Sequence, residues 1–273
     1  MSRIEKCFVN LKTDGQTALI PYITAGDPEP WVTVPLLHAL VDAGADIIEL
    51  GIPFSDPMSD GPVIQKACER SLKNDMSLKH VLEMVRQFRE KDKETPVVLM
   101  GYANPIEAMG YKVFAEQAHK VGVDGVLTVD MPPEESDDLK AELDQYDIDT
   151  IFLVAPTTSS ERMAKIASYA KGFIYYVSIK GVTGTAALDV SEVETKLAEL
   201  RKYTDLPLGV GFGIRDGQSA AAVSELADAV VVGSTLVRCI EEHANRPEEL
   251  AASVAGLLAE MRHAINARDL ASA

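Results

Sequence analysis

Eight short runs rich in β-branched and other apolar residues recur along the chain, at residues 18–24, 47–50, 97–101, 125–129, 150–154, 173–178, 208–212 and 229–232. Between them lie longer segments, at 30–43, 114–121, 134–143, 160–170, 190–203 and 218–226, whose apolar residues repeat at intervals of three and four, the period of an amphipathic helix. Strands that alternate strictly with helices form a parallel sheet, because a parallel neighbour can be reached only through a crossover. Eight such units in 273 residues imply closure into a (β/α)8 TIM barrel. An open doubly wound sheet is the rival, but its usual glycine loop after the first strand is missing: Ile23-Thr24-Ala25-Gly26-Asp27-Pro28 stands there instead. Extra material at the N-terminus, in the second unit (62–73 and 77–91) and at the end (234–242 and 247–266) predicts an added N-terminal helix and additional short helices. No linker or low-complexity stretch interrupts the rhythm, so residues 1–273 are expected to form one domain.

Hydrophobic residues make up 47% of the chain and charged ones 25%, a balance that suits a soluble protein with a large core. A formal net charge of −16 opposes non-specific attachment to nucleic acid or anionic lipid. No apolar run is long enough for a membrane span. Residues 1–14 mix charges with Ile4, Phe8, Val9 and Leu11 as an amphipathic helix would, unlike a secretory signal, and a cytoplasmic location is expected. Cys7, Cys68 and Cys239 are isolated and read as structural thiols, since neither a zinc site nor a redox pair has such spacing.

Barrel active sites gather at the C-terminal ends of the strands. The second strand ends Ile47-Ile48-Glu49-Leu50-Gly51, which sets a carboxyl among aliphatic neighbours where desolvation raises its pKa toward neutrality. The alternative is a carboxylate that pairs with a cation or caps a loop, although no Arg or Lys lies nearby in sequence. The loop that follows, residues 51–62, is too rich in Pro and Gly to extend the strand and must turn over the barrel mouth. Asp60 precedes Gly61-Pro62 and a helical period, so spacing leaves it open between a helix cap or Asx turn and a catalytic carboxylate. Asp56, before Pro57, reads as a turn former or contact residue. Strand seven runs into Gly209-Val210-Gly211-Phe212-Gly213-Ile214 and strand eight into Val232-Gly233-Ser234-Thr235, the two loops that commonly hold a phosphate in barrels together with a short helix N-terminus. The loop 179–187, rich in Gly and Thr, has the length of a lid.

These stretches closely resemble the α subunit of tryptophan synthase over nearly the whole chain. The resemblance is carried by Tyr22-Ile23-Thr24-Ala25-Gly26-Asp27-Pro28, Glu49-Leu50-Gly51-Ile52-Pro53-Phe54-Ser55-Asp56-Pro57, Asp60-Gly61-Pro62, Gly181-Val182-Thr183-Gly184 and Gly211-Phe212-Gly213. It implies a retro-aldol cleavage of indole-3-glycerol phosphate to indole and glyceraldehyde 3-phosphate in tryptophan biosynthesis. No cofactor is implied in this chain. The indole would pass to a pyridoxal-phosphate-dependent β subunit within a heterotetramer of two α and two β subunits. Carried over residue by residue, acid–base work falls on Glu49 and the hydrogen bond to the indole N–H on Asp60. The bottom-up reading agrees with that division, since Glu49 sits in apolar surroundings and Asp60, on a polar loop, is expected to stay ionised.

The resemblance also implies an indole pocket of Tyr22, Met100, Tyr102, Leu127, Val129 and Leu153, with Tyr175 supporting Glu49 or the substrate unless it is a barrel-filling aromatic. Phosphate binding falls on Gly184, Gly213, Gly233 and Ser234, and Thr183 would close the lid over Asp60. Pro53, Asp56, Pro57, Asn104 and Pro132 are candidates for the partner face, or else solvated loop tips. Ser59, where many members have Ala, and the pocket residues Met100 and Val129 are small departures. A Schiff-base aldolase would need a desolvated lysine, and Lys180 in the glycine-rich loop is expected to be hydrated. A metal-dependent enzyme fits less well, because His38, His80, His119, His243 and His263 fall in helical stretches rather than at strand ends. A non-catalytic phosphate-binding regulator would have no need of both Glu49 and Asp60.

Overall fold

A computed structural model describes residues 1–178, 190–211 and 213–272. Strands β1 (Ala18–Thr24), β2 (Ile48–Gly51), β3 (Val97–Gly101), β4 (Gly125–Thr128), β5 (Asp149–Val154), β6 (Ile174–Val177), β7 (Leu208–Gly211) and β8 (Ala229–Val232) pair in parallel in chain order. β8 returns to β1 with Ala18 opposite Ala229 and Pro21 opposite Val232, which closes the barrel. The expected (β/α)8 fold is therefore the observed one, and every strand lies where the β-branched runs predict, with ends shifted by one residue at most.

Helix α1 (Arg3–Thr13) precedes the barrel and α2 (Pro30–Asp42) follows β1. Two helices, α3 (Pro62–Leu72) and α4 (Leu78–Arg89), fill the second unit, and α5 (Ala103–Met109) and α6 (Tyr111–Val121) the third. Next come α7 (Asp137–Asp144), α8 (Ser160–Tyr169), α9 (Val190–Leu200) and α10 (Gly217–Ser224), and after β8 come α11 (Ser234–Glu242) and α12 (Pro247–Ser272). The short α5 is absent from the sequence expectation, because its first turn reads Asn104-Pro105, a turn signal, and seven residues are too few to display a helical period.

Side chains alternate across each strand. Along β2, Ile48 and Leu50 join the large core between strands and helices, while Glu49 between them faces the interior. The interior is filled by Ile20, Ile47, Val98, Leu127, Ile151, Phe173 and Val231, and α1 adds Ile4, Phe8 and Leu11 to the same cluster. Phe8 packs on Phe173 with ring centroids 5.9 Å apart. Gly125 makes room for this plug: a Cβ there would lie 3.0 Å from Cδ1 of Ile4. Ser2 donates to Asp149 at 2.8 Å and Arg3 to Asp124 at 2.7 Å, tying α1 to the strands' N-terminal ends. With that end closed by apolar packing, the opposite end is left for chemistry.

Candidate active site

A cavity opens at the C-terminal ends of the strands, lined by Tyr22, Glu49, Asp60, Gly61, Ile64, Met100, Tyr175, Gly213, Ile214, Val231, Gly233 and Ser234. Glu49 is 1% exposed and its Oε1 has no hydrogen-bond partner among the described residues. Among the described residues it pairs with no cation and caps no loop. Burial raises its pKa from 4.5 to about 8, and the nearby charge of Asp60 adds to the shift. At neutral pH the carboxyl therefore holds a proton that it can give up and recover.

Asp60 is not the cap that spacing left possible. The residue preceding α3 is Gly61, and no side chain caps the helix. The Asp60 carboxylate instead accepts a 2.9 Å hydrogen bond from the Tyr102 hydroxyl, which itself accepts the Ser59 backbone N–H at 3.0 Å. Because Ser59 contributes its backbone, an alanine in its place would make the same bond. The Tyr102 ring stacks on Phe54, with centroids 5.2 Å apart, so one residue after β3 organises the loop after β2. The loop is polar, as expected, yet burial still pushes the Asp60 pKa up, and the bond from Tyr102 draws it back down. Asp60 and Glu49 thus differ in support: one carboxyl has a fixed donor and the other has an unpartnered oxygen.

Two aromatic walls flank Glu49. Tyr22 stands opposite it in the β1–β2 register, and its hydroxyl lies 3.2 Å from the Thr24 hydroxyl. Gly51 is required beside it, since a Cβ would come 2.7 Å from Cζ of Tyr22 and nearer still to the hydroxyl. Tyr175 is matched in the same way by Gly211, whose Cβ would meet the Tyr175 ring. Burial, followed by the charges of Glu49 and Asp60, raises the Tyr175 pKa well above 10, so the ring presents a neutral hydroxyl.

Gly213, with φ of 79°, occupies a conformation that favours glycine, and it faces Gly233 and Ser234 at the N-terminus of α11. The Thr235 hydroxyl donates to the Ile214 carbonyl at 2.7 Å and clips the two loops together. The first N–H groups of a helix lack intrahelical partners, which suits this end of the cavity to an anion.

Of the expected pocket residues, Tyr22, Met100 and Tyr175 line the cavity. Tyr102 does not, and acts on Asp60 instead; Leu127 is fully buried in the barrel interior, with Val129 and Leu153 packed against the same cluster. Gly213, Gly233 and Ser234 line the same cavity, whereas Thr183, Gly184, Lys180 and the expected lid 179–187 lie outside the described residues. Asp56 and Asn104 are exposed and Pro132 is half-buried, but Pro53 and Pro57 are buried, because the loop folds inward onto Tyr102. Ile64, Ile214 and Val231 escaped the sequence reading, since nothing in an aliphatic residue marks which wall it forms. The Tyr102–Asp60 bond joins residues 42 apart and has no sequence signal. Among the described residues no cluster of three His, Cys, Asp or Glu could hold a metal ion, and no helix is long and apolar enough to cross a membrane.

A family model described as tryptophan synthase alpha chain matches residues 8–266. The chain belongs to the tryptophan synthase alpha chain family. It is 60% identical to the tryptophan synthase alpha chain of Nitrosococcus oceani, over 98% of this chain and 99% of that one. To the one from Thioalkalivibrio sulfidiphilus it is 62% identical, over 97% and 100%. The crystal structure of tryptophan synthase subunit alpha from Legionella pneumophila superimposes with a TM-score of 0.92 at 47% identity, covering 98% of this chain and 99% of that one. A chain in the tryptophan synthase complex from Pyrococcus furiosus matches with a TM-score of 0.79 at 35% identity, over 91% and 99%. The reaction of tryptophan synthase alpha chains is the cleavage of indole-3-glycerol phosphate in tryptophan biosynthesis, and this chain is a lyase of that kind. It is the α subunit of an enzyme whose other component is a β subunit.

Proposed function

We propose that in this cleavage Glu49 carries the protons and Asp60 supplies a fixed negative charge. Glu49, protonated at neutral pH, donates to C3 of the indole ring and creates an indoleninium cation. The Asp60 carboxylate accepts a hydrogen bond from the ring N–H and offsets that charge while Tyr102 holds it in place. The Glu49 carboxylate then takes the proton from the side-chain hydroxyl as the carbon–carbon bond breaks. Its electron pair restores the aromatic ring, the hydroxyl carbon becomes the aldehyde of glyceraldehyde 3-phosphate, and Glu49 ends as it began. The single observation that carries this reading is a buried carboxyl, with an unpartnered oxygen and a pKa of about 8, in the same cavity as a second carboxyl held by a donor.

Tyr22, Met100 and Tyr175 form the pocket for the indole, backed by Leu127, Val129 and Leu153. Gly213, Gly233 and Ser234 receive the phosphate, with Gly184 completing that cradle and Thr183 closing over Asp60. The β subunit docks over the same mouth, where Asp56, Asn104 and Pro132 meet it and the buried Pro53 and Pro57 shape the loop. Two α and two β subunits form the assembly, the pyridoxal phosphate sits in the β subunit, and this chain needs no cofactor. Residues 1–273 act as one domain in the cytoplasm. The test is indole release from indole-3-glycerol phosphate by wild type, Glu49→Gln and Asp60→Asn, with and without the β subunit. Both variants should lose the reaction, and unchanged rates in both would refute the assignment.

A further inference from the structure

The cavity is framed by the N-termini of two helices. α3 presents Gly61, just after Asp60, and α11 presents Ser234, just after Gly233. The separation between the carboxylate at one end and the anion cradle at the other therefore depends on how these helices pack. Near the cavity the contact is apolar, with Ile64, Ala67 and Cys68 of α3 meeting Val237 of α11 and Tyr22 of β1. At the far ends it is ionic. In the last turn of α3, Arg70 Nε and Nη2 donate to the two carboxylate oxygens of Asp27 at 2.6 and 2.8 Å, and Nη1 donates to Glu241, in the last turn of α11, at 3.2 Å. The Asp27 side chain is 0% exposed and that of Arg70 18%. Ser71 donates to the Ala25 carbonyl at 2.6 Å and Asn74 to the Pro28 carbonyl at 3.0 Å, so the same end of α3 is also pinned to the loop after β1.

We propose that Arg70 is a positioning residue: its fork to Asp27 and Glu241 locks α3 against α11 and so sets the distance between Asp60 and the phosphate cradle. This rests on the roles given above to Asp60 and Ser234. A tilt of about 5° over the roughly 15 Å length of α3 would move its cavity end by about 1 Å. A misplacement of about 1 Å can cost on the order of 100-fold in rate. The apolar seam survives such a tilt, so each half of the site stays formed while the distance between the halves changes. A substrate that spans both halves suffers; a ligand that fills only one does not.

The test uses Arg70→Lys, which keeps the charge and loses the planar fork, and Asp27→Asn combined with Arg70→Met, which leaves no buried charge unpaired. In the full-length chain with its β subunit, kcat/KM for indole-3-glycerol phosphate should fall at least tenfold in either variant. In the isolated full-length chain, calorimetric affinities for inorganic phosphate alone and indole alone should stay within about twofold of wild type. A staple that served only stability would lower the melting temperature and leave kcat/KM per folded molecule unchanged. A smaller fall in kcat/KM than tenfold overturns the proposal, as does a loss of affinity for either fragment as large as that fall. If Arg70→Lys does not fold, the double variant decides by the same criteria. Asp60→Asn is the control for the underlying reading: should it cleave at the wild-type rate, the role of Asp60 fails and the proposal with it. Should it be inactive while the Arg70 variants cleave normally, only the role of Arg70 is refuted.

Discussion

Replacing Glu49 by Gln should stabilise this protein while abolishing its reaction, and the stabilisation should grow with pH. The carboxyl has a pKa of about 8 when folded, against 4.5 in an unfolded chain, because burial and then the charge of Asp60 disfavour ionisation. Between those values the unfolded state has released its proton and the folded state has kept it. Unfolding thus becomes easier as pH rises, and the cost to the native state is complete above the folded pKa. At about 1.4 kcal/mol per pH unit, the interval from 4.5 to about 8 comes to about 5 kcal/mol. Gln has nearly the same shape and no proton to lose. Urea unfolding of both proteins from pH 5 to 9 should therefore show a gap of under about 1 kcal/mol at pH 5. It should widen steadily, reach about 5 kcal/mol by pH 9 and be flat beyond the folded pKa. A gap independent of pH would refute the reasoning, since any difference would then be packing rather than ionisation. A natural sequence that keeps such a residue does so for chemistry, at the expense of stability.

Two further outcomes follow from the geometry around it. Tyr102→Phe keeps the stack on Phe54 but removes the donor to Asp60. With a hydrogen bond to a charged group worth about 1.5–3 kcal/mol, kcat for cleavage should drop about tenfold or more. KM should change little because Tyr102 does not line the cavity. The Asp60 pKa should rise further without the bond that lowers it, shifting the acid limb of the pH–rate profile upward; an unchanged kcat and profile would count against Tyr102 as the holder of Asp60. Gly51→Ala should destabilise by about 1–3 kcal/mol and impair activity, because the new methyl meets the Tyr22 ring. Tyr22→Phe in that background should recover only part of the loss in thermal melting, since ring carbons at 2.7 and 2.8 Å remain in the way.

The barrel was legible because its signal is periodic and local. Each strand, from Ala18–Thr24 to Ala229–Val232, declares itself within its own few residues, and so does the place of Glu49 at a strand end. Glycines at the ends of the seventh and eighth strands marked the proposed anion cradle for the same reason. Asp60 was harder. Local spacing offered a helix cap or a catalytic carboxylate, and the resemblance to a family, not the spacing, favoured the second. The structure resolves the geometric half of that choice through Tyr102, a residue from another unit of the barrel. Tyr102 and Leu127 show what position near a strand end leaves open: the Tyr102 hydroxyl is bonded to Asp60, and Leu127 packs in the barrel interior.

By itself, then, the sequence determined the alternation of elements, the closure they require, the end at which chemistry must occur and the carboxyl most able to move a proton. These follow from burial patterns that repeat over a few residues. Only the tertiary structure decided what Asp60 is bonded to, why a side chain at Gly51 would collide with Tyr22 and one at Gly125 would crowd Ile4, and how Arg70 joins Asp27 to Glu241. Each of those depends on residues distant in the chain meeting at a particular distance and angle, a property of the closed barrel that no single stretch of it contains.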